Sequence, residues 1–125
     1  MAAPQEEAKV VYKPLVLPRK AVNIMGDVLR IRFVNDARFI GVTSARKGLI
    51  KISKYYPKDV QREGLLHEIS EYILLKMNCG TWHTSGGVTY HLKHDPAGNT
   101  DIWRTFIASL LDTIQRNKLG KVLFK

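Results

Sequence analysis

Apolar and polar residues alternate along the first half of the chain, which predicts β-strands there. Alternation places Leu29, Ile31 and Phe33 on one side of a strand and Arg30 and Arg32 on the other. Residues typical of turns separate the alternating segments. The predicted strands cover 20–25, 28–34, 39–43 and 49–53.

The second half of the chain has apolar residues at helical spacing. A helix is predicted over 58–77, because Pro57 fits a first helical turn and Gly80 is a natural stop. A second helix is predicted over 101–117, whose apolar stripe recurs every four residues at Ile102, Phe106, Leu110 and Ile114. Between them, 88–92 fits a short strand and Gly86-Gly87 a turn.

The order of these elements is strands, a long helix, a loop and a second helix. This order predicts an α+β domain with a small, mostly antiparallel sheet packed by the two helices. With 125 residues, the chain fits a single domain over 10–125. Residues 1–9 are small, polar and charged, and we expect a disordered tail there.

Composition narrows the class of protein. The chain is 45% hydrophobic and 25% charged, as in ordinary globular proteins, and no apolar run approaches the length of a membrane span. Its one cysteine, Cys79, excludes an internal disulfide and a zinc site built from several thiolates. The sequence therefore predicts a cytoplasmic protein without a membrane partner.

The net charge of +9 favours encounters with nucleic acids and other polyanions. The lysines and arginines are nevertheless spread along the whole chain, without a dense run or a repeated alternation with aromatic residues. This distribution favours a generic basic surface over a specific nucleic-acid site.

Candidate chemistry is concentrated in the segment LLHEISEYILL at 65–75. His67 and Glu71 are four residues apart, so that they share one helical face at about 6 Å, a spacing that suits two ligands of one metal ion. Glu68, about 100° around the helix, is free to act as a base. The pattern is H-E-x-x-E, one residue away from the H-E-x-x-H zinc motif. A structural His–Glu pair is the alternative interpretation.

A helical projection of this segment predicts three faces. The core face carries Leu66, Ile69, Ile73 and Met77. The second face places His67 and Glu71 among apolar residues, with Val60 and Leu74. The third, more polar face carries Gln61, Glu68, Tyr72 and Lys76. Glu68 is predicted at the border of the polar face, at the lip of a cleft.

Three segments resemble the small zincin-like metallopeptidase domains, of the ImmA/IrrE and SprT-type cores. They are GLIKIS at 48–53, VQREGLLHEI at 60–69 and, as an opening hairpin, VNIMGDVLRI at 22–31. The resemblance covers about 20–117 and is specific at the strand–helix junction. It implies a zincin-like fold in which His67 is a metal ligand, Glu68 is the general base and Glu71 replaces the second histidine ligand.

The resemblance also implies a third metal ligand from the segment after the motif helix. The candidates there are His83, His91, His94, Asp95 and Asp101. His94 is favoured narrowly over Asp101, and His91 follows. Asp101 alternatively stabilises the first turn of its helix, and Asp95 alternatively supports His94 from behind.

These features predict a metal-dependent hydrolase, most plausibly a small zinc peptidase acting on a peptide or protein. Another divalent ion is an alternative, because a carboxylate ligand tolerates several metals. Segment 49–53 is predicted as an edge strand that pairs with an extended substrate across a cleft beside the motif helix. The alternative function is a non-catalytic domain on the same scaffold, whose basic surface binds nucleic acid or an acidic protein.

Overall fold

The structure is a computed structural model that describes residues 10–77, 81–84, 87–90 and 101–124. At 81–84, 87–90, 101 and 102, only the backbone is described. The predicted tail at 1–9, the predicted turn residue Gly86 and Cys79 lie outside the described residues.

Four strands form one sheet in the order β1-β2-β4-β3. They are β1 (Ala21–Ile24), β2 (Asp27–Val34), β3 (Gly41–Ser44) and β4 (Leu49–Ser53). The sheet is mixed: β1–β2 and β3–β4 are antiparallel, whereas β2 and β4 are parallel. The α+β class and the four predicted strand segments are confirmed. The prediction of 49–53 as an edge strand is wrong, because β3 folds back along the outer side of β4.

The helices follow the sheet. Helix α1 (Lys58–Lys76) begins after Pro57, and α2 (Asp101–Arg116) is followed by the short α3 (Gly120–Leu123). A separate antiparallel hairpin joins β5 (Thr81–Thr84) to β6 (Gly87–Tyr90). The two long helices match their predicted bounds within one residue, whereas β5 and α3 were not predicted. Among the described residues, no helix is both long and apolar enough to span a membrane.

The hydrophobic core lies between one face of the sheet and the helices. Strands β2 and β4 contribute residues that alternate along the chain, and α1 contributes three residues from one face. The members from these elements are Leu29, Ile31, Ile50, Ile52, Leu65, Ile69 and Ile73. Ile114 of α2 and Leu123 of α3 also belong to this core, as do Leu15, Val22, Ile24, Tyr72 and Leu119. All three helices therefore contribute residues to this core.

The predicted faces of α1 need correction. Gln61, Glu68 and Tyr72 were assigned to the polar side, but all three are buried. Leu66, assigned to the core face, is only half-buried at its margin. The reason is that each buried polar side chain has a hydrogen-bond partner outside the helix, as described below, and such a partner offsets the cost of burial. The apolar pattern of the helix alone contains no information about these partners.

Tyr72 joins the end of α1 to the start of β2. Its hydroxyl donates to Oδ2 of Asp27 at 2.6 Å, and Nζ of Lys76 lies 2.9 Å from the same oxygen. The hydrogen bond from Tyr72, followed by that from Lys76, lowers the pKa of Asp27. Burial, followed by the bond to Asp27, raises the pKa of Tyr72 to about 12.

We expect Tyr72→Phe to raise the pKa of Asp27 towards its ordinary value of about 3.9. Because the folded protein holds this pKa below the unfolded value, ionised Asp27 stabilises the fold above about pH 4, and that contribution is lost as the pH falls through the folded pKa. The loss in free energy of unfolding should therefore be larger at pH 7 than at pH 2. NMR titration measures the pKa of Asp27, and urea unfolding at pH 2 and pH 7 measures the two losses in free energy of unfolding. An equal loss at both would assign Tyr72 a packing role only.

Candidate metal centre

Helix α1 brings His67 and Glu71 into direct contact. Nε2 of His67 and Oε1 of Glu71 lie 3.1 Å apart, as the spacing of one helical turn predicts. The side chain of His67 is 62% exposed and that of Glu71 is 23% exposed. His67 therefore faces solvent, while Val60 of the same helical face lies with it in the wall of the cleft described below.

Glu68 points from α1 towards the sheet. It is only 4% exposed, and Oγ1 of Thr43 in β3 donates to its Oε1 at 2.7 Å. The carboxyl group of Glu68 is therefore more deeply buried than the predicted position at the lip of a cleft, because it lies between α1 and β3. Thr43 is not among the predicted site residues, because nothing in the sequence distinguishes it from other threonines in strands.

Two glycines allow β3 and α1 to approach this closely. A Cβ atom on Gly41 would lie 3.1 Å from Cγ of Glu68 and 3.0 Å from Cδ1 of Ile52. On α1, a Cβ atom on Gly64 would lie 2.8 Å from Cγ2 of Ile40. Glycine in a helix interior costs about 0.5–1 kcal/mol relative to alanine. The close approach of Ile40, the residue before β3, gives Gly64 a packing role that offsets this cost.

A cleft of about 570 Å³ runs between β3 and α1. Its lining includes the motif residues and the edge strand, namely Ile40, Gly41, Val42, Thr43, Val60, Glu63, Gly64, His67, Glu68 and Glu71. In the described part of the chain, β3 has no strand partner on its outer side. The cleft therefore borders β3, and not 49–53 as predicted.

The buried position of Glu68 changes its proton affinity. Burial raises the pKa of Glu68 to about 7, although the hydrogen bond from Thr43 opposes this shift. The neighbouring carboxylate of Glu71 raises the pKa further, and His67 lowers it. A cation held beside these two carboxyl groups would favour their ionised forms.

His67, Glu68 and Glu71 each offer one ligand atom, and these atoms all lie within 4.8 Å of one another. Two ligands about 2.0–2.1 Å from a tetrahedral zinc ion lie about 3.3 Å apart, close to the 3.1 Å between His67 and Glu71. One imidazole and two carboxylates also form a donor set that zinc and other divalent metals accept. The residues present therefore fit a divalent ion.

The candidates for a further ligand stay predictions. His91, His94 and Asp95 lie outside the described residues. Asp101 is the first residue of α2 and His83 belongs to β5, but their side chains are not described. Of the predicted metal ligands, only His67 and Glu71 have side chains that the structure describes. Both lie in one cluster with Glu68, the predicted base.

The chain was compared with protein-family models, curated proteins and solved structures, and none of the three comparisons returns a match. We therefore infer the function from the geometry of the site.

Proposed function

We propose that the chain is a metal-dependent hydrolase of zincin-like architecture, and more narrowly a small zinc peptidase. One observation carries the proposal: two potential ligands, His67 and Glu71, lie beside the carboxyl group of Glu68 on the wall of an open cleft, with one atom of each within 4.8 Å of the others. In the described part of the chain, the outer edge of β3 pairs with no strand, and a cleft bordered by such an edge suits an extended peptide, which adds to the strand through its backbone.

The residues of the site have separate roles in this proposal. His67 and Glu71 would hold the ion, together with a third donor from His94, Asp101 or His91. When bound, zinc supplies a Lewis acid that lowers the pKa of a coordinated water towards about 7. Glu68 accepts a proton from the attacking water and returns it to the leaving amine. Thr43 donates to Oε1 of Glu68 and so fixes the orientation of this carboxyl group.

Metal binding is the first test of the proposal. In isothermal titration calorimetry, the metal-free chain should bind one zinc ion, and His67→Ala should weaken that affinity at least about tenfold because one of few ligands is lost. Glu63→Gln is the matched control, since Glu63 is an exposed carboxylate of the same helix and the same cleft but is not in the cluster. Equal zinc affinity in His67→Ala and the wild type would contradict the site.

Hydrolysis is the second test. The zinc-loaded chain should cleave unstructured peptides, and mass spectrometry should identify new amino termini. A chelator should abolish cleavage and added zinc should restore it. Zinc binding without cleavage of any peptide in a diverse library would retain the metal site but reject the peptidase.

A further inference from the structure

The face of the sheet opposite the helices carries three cationic side chains. Arg30 and Arg32 of β2 alternate with the core residues Leu29 and Ile31, and Lys51 of β4 alternates with Ile50 and Ile52. Arg32 is directly opposite Lys51 in the parallel pair of strands. Arg30 lies two residues from Arg32, which is about 6.6 Å along a strand. We call Arg30, Arg32 and Lys51 the basic face.

Further cations lie beside the basic face. Arg46 and Lys47 belong to the turn between β3 and β4, and the backbone N–H of Arg30 donates to Gly48 of that turn at 2.8 Å. Arg19 and Lys20 precede β1, and the N–H of Ile31 donates to the carbonyl of Lys20 at 2.8 Å. Backbone contacts therefore place two more pairs of cations next to β2.

Few acidic side chains of the described residues lie near this surface. Within the described ranges, none of the ion pairs involves Arg30, Arg32 or Lys51. The acidic residues of α1 lie on the other side of the sheet, at Asp59, Glu63, Glu68 and Glu71. Asp36 is the carboxylate that influences Lys51, and it forms its ion pair with Arg38. The positive charge of the basic face is therefore largely uncompensated.

We propose that the basic face binds the phosphate backbone of double-stranded DNA without sequence specificity. Uncompensated arginine and lysine side chains on an open surface complement a phosphate backbone, which supplies most of non-specific affinity. A duplex fits better than a single strand, because single-strand surfaces rely on aromatic side chains that stack on bases. The exposed apolar residues of this face are Val28 and Val42. Phe33, the one aromatic residue in strands β1 to β4, packs against the core on the other side of the sheet.

The test is fluorescence anisotropy with a labelled duplex of about 20 base pairs at several salt concentrations. The double variant Arg30→Glu/Arg32→Glu should bind at least tenfold more weakly than the wild type at low salt. The slope of log affinity against log salt should fall in magnitude by about 2, because about 0.9 counterions are released per phosphate contact. Circular dichroism and thermal unfolding check folding, and Arg30→Gln/Arg32→Gln is the milder second variant if the first does not fold.

The matched control is Lys58→Glu/Lys121→Glu. This variant changes the net charge equally, but Lys58 and Lys121 are exposed at the start of α1 and in α3, away from the basic face. Less affinity lost in the control than in the arginine variant supports the proposal. Equal losses in the two variants would mean that net charge alone acts, and would overturn it. Polyglutamate binding as tightly as the duplex, with the same dependence on Arg30 and Arg32, would indicate an acidic protein partner and also overturn it.

Discussion

Glu68→Gln should reduce peptide cleavage at least about a hundredfold while leaving zinc affinity within severalfold of the wild type. A positioned general base contributes about 10²–10⁴-fold to a rate, and an amide cannot accept the proton that a carboxylate accepts. The amide oxygen still accepts the hydrogen bond from Thr43, so that the side chain keeps its place. Cleavage rates at saturating substrate and calorimetric zinc affinities measure the two effects separately.

The outcome of this substitution distinguishes two roles of Glu68. A loss of cleavage with retained zinc identifies a base, and a loss of zinc affinity like that of His67→Ala identifies a ligand. Cleavage at the wild-type rate would contradict both roles. Glu63→Gln should leave cleavage and zinc affinity unchanged, because Glu63 lines the cleft without joining the cluster.

The same variant has an expected effect on stability that does not depend on activity. Because burial raises the pKa of Glu68 to about 7, its contribution to the stability of the metal-free fold is present below the unfolded pKa of about 4.3 and is lost as the pH rises through 7. Glutamine has no proton to lose over this pH range and therefore stays neutral. The free energy of unfolding of metal-free Glu68→Gln should therefore change less between pH 5 and pH 8 than that of the wild type.

Periodicity was sufficient to predict the main elements because each has a one-sided apolar pattern. Ile50 and Ile52 alternate with Lys51, and β4 is found at the predicted residues. Pro57 and the apolar spacing after it predict α1 within one residue of its observed end. The positions of His67 and Glu71 follow from the same helical geometry, and their contact at 3.1 Å required no tertiary information.

The order of the strands could not be predicted in the same way. β2 and β3 are consecutive in the chain, yet β4 lies between them and pairs with β2 in parallel. Alternation specifies which side of a strand is apolar but not which strand is its neighbour. The position of the cleft, beside β3, depends on this order, which is why the prediction of 49–53 as the edge strand is wrong.

Tertiary contacts also determine which polar residues of α1 are buried. Glu68 and Gln61 have the same spacing as exposed helical residues, and their partners are distant in sequence. Thr43 is 25 residues from Glu68, and Lys13 is 48 residues from Gln61. The sequence predicts the identity of a polar side chain, but its burial depends on a partner that only the fold supplies.

Gln61 forms a polar link between α1 and the amino-terminal segment. Its side chain is inaccessible to solvent, and its Nε2 donates to the carbonyls of Lys13 at 3.1 Å and Tyr56 at 2.9 Å. Its Oε1 accepts from the N–H of Leu15 at 3.1 Å. Leu15 is itself part of the core. One amide group therefore satisfies three backbone groups where this segment crosses the start of α1.

We expect Gln61→Ala to lower the free energy of unfolding by about 3 kcal/mol, because it leaves buried backbone groups unpaired and removes side-chain volume. With a urea m-value of about 2 kcal/mol/M, the midpoint should fall by about 1.5 M. The amide of Leu15 should exchange faster with solvent, since it loses its acceptor. Gln115→Ala, an exposed glutamine of α2, is the control and should change the midpoint little. A loss below about 1 kcal/mol would mean that water replaces the amide and that Gln61 does not anchor the segment.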